Sequence, residues 1–271
     1  MTDAPIPPHF SGSIPRHYDE YLGPLFFEDY ARDIASRIDP AKVRFALELS
    51  CGTGRVTNHI RRALHSAARL VASDVSPDML EVAKEKLKGH RVEWLIADFT
   101  KIPFADNSLD LVVCCFGYMF AEDKIAAFTE ALRVLQPGGS LLMSTWGKLS
   151  DNAASNVFRT AIKKYFGDTL PPTYQIPYSM HDPDLIHDQL LKAGFTKVKV
   201  ELVDKRSVCE TAKKATVGLV RGGSLYSEIV KRNPAWIEEI SADVENELSE
   251  KFGAAPMVAP MRALVCEASK G

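Results

Sequence analysis

The chain has 271 residues, 46% hydrophobic and 25% charged, with a formal net charge of -2. That length suits one extended domain and that composition an ordinary globular protein, which excludes a fibrous or disordered chain. The near-neutral balance argues against nucleic acid as a partner, because no broad basic field is present. The longest apolar runs, such as LDLVVCCFGYMF at 109–120, fall short of the roughly 20 residues a bilayer span requires, and the N-terminus lacks a charged-then-apolar signal pattern. The sequence therefore predicts a cytoplasmic protein without a membrane span. Cys51, Cys114, Cys115, Cys209 and Cys266 form no CxxC or metal-ligand spacing and read as free thiols of a reducing compartment, with no metal site.

In chain order, residues 1–13 (MTDAPIPPHFSGS) are rich in Pro, Gly and Ser without periodicity and read as a loose arm. Leu22, Leu25, Phe26, Tyr30, Ile34 and Ile38 then follow helical spacing, which predicts an N-terminal helical arm over 14–38, broken by Asp39-Pro40. Short apolar or β-branched runs separated by helical patterns follow at 43–49, 69–73, 92–97, 109–115 and 140–146. That alternation marks a parallel sheet covered by helices. Ser76 can cap a helix from Pro77 to Lys88, with the proline in its first turn, Asp78 complementing the dipole and Gly89 ending it. Another helix fits Asp123 to Leu135, stopped by the turn QPGG at 136–139. Further on, 150–166 reads as helical, 167–180 as a Pro- and Tyr-rich loop, Pro183 to Ala193 as a helix and 196–203 as an alternating strand. Helical stretches at about 211–221 and 235–252 precede a last strand at 261–267.

The expected fold is α/β: a Rossmann-like, seven-stranded, mostly parallel sheet with helices on both faces. One domain is expected over 1–271, with its core at 43–146, the arm at 14–38 and insertions at 150–180 and 205–258, the latter lid-like.

The chemistry concentrates at ALELSCGTGRVT, residues 46–57, where an apolar strand carrying Glu48 turns through Gly52 and Gly54 into a helix. Glycines there let backbone amides approach a ligand closely. Asp74 ends the next strand 20 positions after Gly54, the spacing at which a nucleotide-binding unit sets a carboxylate on ribose hydroxyls; a helix-proximal cap is the alternative. A dinucleotide fingerprint requires Gly or Ala where this chain has Thr57, which disfavours NAD. S-adenosylmethionine has no pyrophosphate and presents an ammonium and a carboxylate, so an acid such as Glu48 beside the glycine turn suits it.

With LELSCGTG at 47–54, SDVSPDML at 73–80, IADFTKIPFADNSLDLVV at 96–113 and EALRVLQPGGSLLMS at 130–144 in this order, the chain over about residues 43–146 resembles the class I S-adenosylmethionine-dependent methyltransferases, in particular the branch that includes quinone-biosynthesis methyltransferases. The resemblance implies S-adenosylmethionine as cofactor, S-adenosylhomocysteine as product and a small-molecule methyl acceptor. It implies that Glu48, Ser50, Cys51, Gly52 and Gly54 surround the donor's methionine portion, that Asp74 with Val75 hold the ribose and one adenine face, and that Met79 lies near the adenine. Asp98 is expected to meet the adenine amino group, with Phe99 beside it. After the fourth strand, the Cys114-Cys115-Phe116-Gly117 stretch is expected to offer backbone carbonyls to the donor ammonium, with Cys115 at the donor and the thiols themselves as packing groups. The chain lacks the Asn/Asp-Pro-Pro-Tyr signature at this position, which argues against methylation of DNA adenine or glutamine. Residues 14–31, IPRHYDEYLGPLFFEDYA, are similar to the helical arm that closes the donor pocket in relatives, placing Tyr18, and next Tyr21, over the donor.

No catalytic base is identifiable from the sequence. Transfer from a sulfonium is an in-line displacement that alignment and dryness can accelerate, and a hydroxyl acceptor would call on His17 or His181. Trp146, Tyr174 and Tyr178 are candidates for an acceptor wall, whereas Arg221-Gly222-Gly223 reads as a helix end rather than an anion site. The alternative reading is a protein that binds S-adenosylmethionine without transferring its methyl group.

Overall fold

Apolar runs without alternation must bury both faces, and in the computed structural model, which describes residues 10–171 and 174–271, they become the parallel strands of one sheet. The chain enters through α1 (Ile14–His17), a π-helical segment (Tyr18–Phe27) and α2 (Glu28–Ser36). It continues through β1 (Phe45–Leu49), α3 (Arg55–Ala63), β2 (Arg69–Asp74), α4 (Pro77–Lys86), β3 (Glu93–Ile96), β4 (Leu109–Cys115), α5 (Lys124–Val134) and β5 (Leu135–Trp146). Then come α6 (Ala153–Phe166), α7 (Pro183–Ala193), β6 (Lys197–Cys209), α8 (Ala212–Arg221), α9 (Leu225–Arg232), α10 (Trp236–Phe252) and β7 (Met257–Ser269).

The sheet order is β3-β2-β1-β4-β5-β7-β6. The first five strands are parallel, and β7 runs antiparallel between β5 and β6. The order of strand addition reverses between β1 and β4, with β2 and β3 on one side and β5 on the other, the position at which an open α/β sheet leaves a crevice beyond its strand ends. Leu47, Leu49, Val112, Val113 and Met143 fill the centre of the core. The edge strand β6 carries the exposed charged residues Lys197, Lys199, Asp204 and Arg206, which discourage further strand addition.

Several boundaries differ from the sequence expectation. The arm is a wide π-helical turn over 18–27 rather than α-helix, because Pro24 sits inside it, and in an α-helix its ring would collide with the carbonyl four residues back. The QPGG segment lies within β5 as a bulge: Leu135 pairs with Leu109 before the register shifts, Gly138 adopts φ +81, and Gly138 and Gly139 bond to Lys270. Every residue of β6 pairs with β7, from Lys197↔Ser269 to Cys209↔Met257, so the ladder absorbs residues expected in the second insertion and leaves 210–256 between the strands. That insertion also contains α9, which the sequence pattern does not announce. The loose arm expected over 1–13 lies, for residues 1–9, outside the described residues.

The caps follow the sequence. Ser76 Oγ accepts from Met79 N at 3.3 Å and Asp123 Oδ1 from Ala126 N at 2.9 Å. Arg37 fastens the arm to the sheet: its guanidinium donates to Asp33 (2.7 Å), to Glu201 on β6 (2.6 Å) and to Glu267 on β7 (2.7 Å). Arg37→Ala is expected to lower stability by about 1–2 kcal/mol, allowing for solvent screening of the two glutamates. A urea titration reads this as a lower midpoint at unchanged slope; an unchanged midpoint contradicts the clamp.

Candidate functional site

The carboxyl ends of β1 and β4 meet at a point too tight for ordinary side chains. Beyond β1 the chain turns at Ser50, φ +53, and beyond β4 at Phe116, φ +56, both in the left-handed region that non-glycine residues rarely adopt. Between them, a Cβ on Gly117 would lie 2.6 Å from both Ser50 Oγ and Cys114 Sγ. Glycine is required there by close approach. At Gly52, φ +54, the same added carbon would meet nothing within 4 Å, so the turn presents bare backbone to open space.

Asp74, at the end of β2, braces this turn. Its Oδ2 accepts from Gly52 N at 2.8 Å and its Oδ1 from Ser76 N at 2.9 Å. Burial pushes its carboxyl upward, while the N–H groups of Ser76 and Gly52 favour the charged form. Each oxygen keeps a further lone pair for a ligand hydroxyl. Glu48 lies beneath the turn at 1% exposure, and burial pushes its carboxyl up to about 8. Among the described residues, its Oε2 has no hydrogen-bond partner.

Over these groups opens a cavity of about 590 Å³, within the size range of small-molecule sites. Tyr18, Ser50, Gly52, Asp74, Val75, Met79, Asp98, Phe99 and Cys115 all line it. Glu48 and Cys51 instead line a small pocket of about 30 Å³ that shares Tyr18, Phe27, Ser50, Gly52, Cys115 and Phe116 with the main cavity. Gly54 lies on neither wall: at φ +76 it caps the start of α3, where an added Cβ would press Ala83 of α4 and Leu87 just after it at 3.1 Å, so its place is helix packing. Asp98 combines both readings of its position, since its Oδ1 accepts from Thr100 N and Oγ1 in a turn while the residue lines the cavity. Burial pushes the Cys115 thiol up, away from nucleophilic use.

Trp146, Tyr174 and Tyr178 contribute to the far wall as the sequence suggests. The histidines do not contribute. His17 Nδ1 contacts Ser13 O at 2.9 Å, His181 Nδ1 contacts Tyr178 O at 2.7 Å, and neither lines the cavity. Arg221 ends α8 and pairs with Glu238, while Gly223 reaches the wall without it. Sequence reasoning missed Phe27, Met119, Phe120, Ser155 and Phe158 as lining residues. The aromatic run Phe26-Phe27 beside the YDEY stretch was a usable signal; Ser155 gives none, being one small residue in an ordinary amphipathic helix.

The arm is held over the glycine turn by charge. Arg55, at the start of α3, donates to Glu28 Oε2 and to the Asp19 carbonyl, each at 2.7 Å, and Thr53 Oγ1 donates to Asp19 Oδ1 at 2.7 Å. Lys86 also pairs with Asp19. A Cβ at Gly23 would strike the Arg55 guanidinium at 2.5–2.8 Å, so glycine makes this clamp possible. The result sets Tyr18 stacked on Phe27, with ring centroids 5.2 Å apart, and Phe27 against Phe116 and Trp146.

Comparison with known proteins agrees with this geometry. A family model described as a methyltransferase domain matches residues 46–139. The demethylmenaquinone methyltransferase of Staphylococcus haemolyticus is 29% identical over 170 residues, 57% of this chain and 70% of that enzyme. The ubiquinone/menaquinone biosynthesis C-methyltransferase UbiE of Pseudomonas aeruginosa is 36% identical over 116 residues, 41% of this chain, and the match spans less than half of that enzyme, 45%. Phosphoethanolamine N-methyltransferase 2 of Haemonchus contortus, solved in complex with S-adenosyl-L-methionine, shares the fold with a TM-score of 0.59 at 19% identity, over 94% of this chain and 56% of that one. The chain carries a methyltransferase domain at residues 46–139 and is similar to the class I S-adenosylmethionine-dependent methyltransferases, whose methyl donor is S-adenosylmethionine.

Proposed function

We propose that the protein transfers a methyl group from S-adenosylmethionine to a small-molecule acceptor, with both held in the one cavity, and releases S-adenosylhomocysteine. The observation that carries this reading is the continuity of that cavity. At one end lie the open backbone of Gly52 and the carboxylate of Asp74, with Glu48 in the small pocket beside them; at the other lie aromatic walls drawn from the segment that follows β5, joined by apolar residues that follow β6. A polar cradle of the first kind fits an amino acid joined to a nucleoside, and an apolar wall of the second fits an organic acceptor.

In this reading Glu48 faces the donor's ammonium, and Asp74 holds the ribose hydroxyls with the lone pairs its backbone contacts leave free. Val75, Met79 and Phe99 flank the adenine, and Asp98 accepts from its amino group. Bound S-adenosylmethionine supplies an electrophilic methyl group on a sulfonium. The chain's own residues align the two reactants and exclude water: Tyr18, Phe27, Phe116 and Trp146 form a continuous aromatic surface over the turn. Loss of the sulfonium charge in the transition state favours a dry site over a solvated one. We also place the protein in the cytoplasm. Its five cysteines are unpaired, and among the described residues no helix is long and apolar enough to cross a membrane.

Asp74→Ala is expected to weaken S-adenosylhomocysteine binding at least about a hundredfold, because it removes the ribose acceptor and the brace on Gly52 together. Calorimetry measures this directly, and an unchanged affinity contradicts the assignment. A second prediction concerns pH. Glu48 has its folded value raised to about 8 from 4.5, so its protonated form stabilises the fold. That contribution is complete below about pH 4.5 and is lost as pH rises through 8. The melting temperature of the ligand-free protein should fall between pH 6 and 9, and Glu48→Gln should reduce the slope. It should not abolish it, because Asp74 is shifted in the same direction. An identical slope in the variant contradicts this role for Glu48.

A further inference from the structure

The small pocket beneath the glycine turn encloses a carboxyl group that the chain leaves incomplete. Glu48 lines it at 1% exposure, and among the described residues its Oε2 has no hydrogen-bond partner. The pocket's volume of about 30 Å³ admits a group the size of one or two water molecules and nothing larger. Tyr18, Ser50, Gly52 and Cys115 border both this pocket and the main cavity, so a short chain can reach in from the donor half while a nucleoside stays outside.

The charged and titratable groups around Glu48 come from every element packed on it. From α3 come the Thr57 hydroxyl and Arg55, whose guanidinium is committed to Glu28 Oε2 and the Asp19 carbonyl, each at 2.7 Å. From α4 comes Lys86, paired with Asp19. From β2 comes Asp74, a like charge. The Cys51, Cys114 and Cys115 thiols and the Tyr18 phenol are all pushed up by burial and stay neutral. Burial outweighs the help that Thr57 and Lys86 give to the charged form and pushes the Glu48 carboxyl up to about 8, so the ligand-free protein holds it protonated at neutral pH.

We propose that the donor's ammonium enters this pocket and displaces the Glu48 proton, so that loading of the donor releases one proton to solvent and strengthens with rising pH across the neutral range. This rests on the donor reading given above and adds a proton linkage to it. A protonated carboxyl offers an ammonium its carbonyl oxygen and no charge. Breaking its O–H bond sends the proton to solvent and leaves a carboxylate that pairs with the ammonium at short range, where burial strengthens the attraction. The ribose hydroxyls meet Asp74 and keep their protons, so the nucleoside part of the donor does not drive the release. A ligand that binds the ionised form gains affinity as that form becomes available: about tenfold from pH 6 to pH 7, levelling off near pH 8, where free Glu48 is itself half ionised.

The test is calorimetry of the full chain with S-adenosylhomocysteine at pH 7 in two buffers of different ionisation enthalpy, the difference in heat giving the protons released per ligand. The expected count is about 0.9 for the parent and close to zero for Glu48→Gln, whose amide has no proton to lose. Affinity should rise about tenfold between pH 6 and pH 7 in the parent and less than about twofold in the variant. 5′-Methylthioadenosine keeps the adenine, ribose and thioether but has no ammonium, and it should bind the parent with close to zero protons released. That comparison needs no variant and separates Glu48 from Asp74, which meets both ligands alike. The proposal is overturned if S-adenosylhomocysteine binds the parent without releasing a proton, if Glu48→Gln releases as many, or if 5′-methylthioadenosine does. Each of these leaves the donor reading standing, whereas failure of S-adenosylhomocysteine to bind at pH 7 and at pH 8 overturns the donor reading and the proposal with it.

Discussion

The structure depends on the convergence of two parallel strands. β1 and β4 are neighbours in the sheet, and both chains must leave it at the same end within a few ångströms of each other. The constraint is met by two residues in the left-handed region, Ser50 and Phe116, and by the absence of a side chain at Gly117. Such conformations are unfavourable by roughly 1–3 kcal/mol each. They are held by the strands behind them, where Leu47, Leu49, Val112 and Val113 are almost wholly buried. The core thus fixes the geometry of the floor on which the cavity rests.

From that floor the remaining parts follow by contact. Asp74 bonds to the N–H of Gly52, so the second strand and the first turn form one unit. Phe116, turned out by its backbone, stacks on Trp146 with centroids 4.1 Å apart, which joins the end of β4 to the end of β5. Thr53 and Arg55, on the far side of the same turn, hold Asp19 and Glu28 of the arm. A change at the glycine turn therefore reaches the floor, the wall and the cover of the cavity together. The cover is fastened by polar contacts rather than by apolar burial alone, which makes its hold sensitive to ionic strength to the extent that the ion pairs are exposed.

Much of this was readable in the sequence wherever the cause is local. Uninterrupted apolar runs announce buried parallel strands, Ser76 and Asp123 announce helix starts, and Gly52 and Asp74 mark the two strand ends that meet at the cavity. The unreadable parts have non-local causes. The π-helical turn depends on how Pro24 is accommodated against α3, and the full length of the β6–β7 ladder on pairing between strands separated by three helices. Gly54 has the same local signature as Gly52, yet one packs a helix and the other faces open space, a distinction set by the position of α4. The far wall of the cavity was readable only in its aromatic residues: Ser155 and Leu219 come from segments whose own patterns describe only amphipathic helices.

The most direct test of this account is a crystal structure of the protein grown with S-adenosylhomocysteine. The account predicts ligand density along the ends of β1, β2 and β3, with ribose hydroxyls on Asp74 and the amino group toward Glu48. Density elsewhere on the molecule, or a ribose without contact to Asp74, would contradict it.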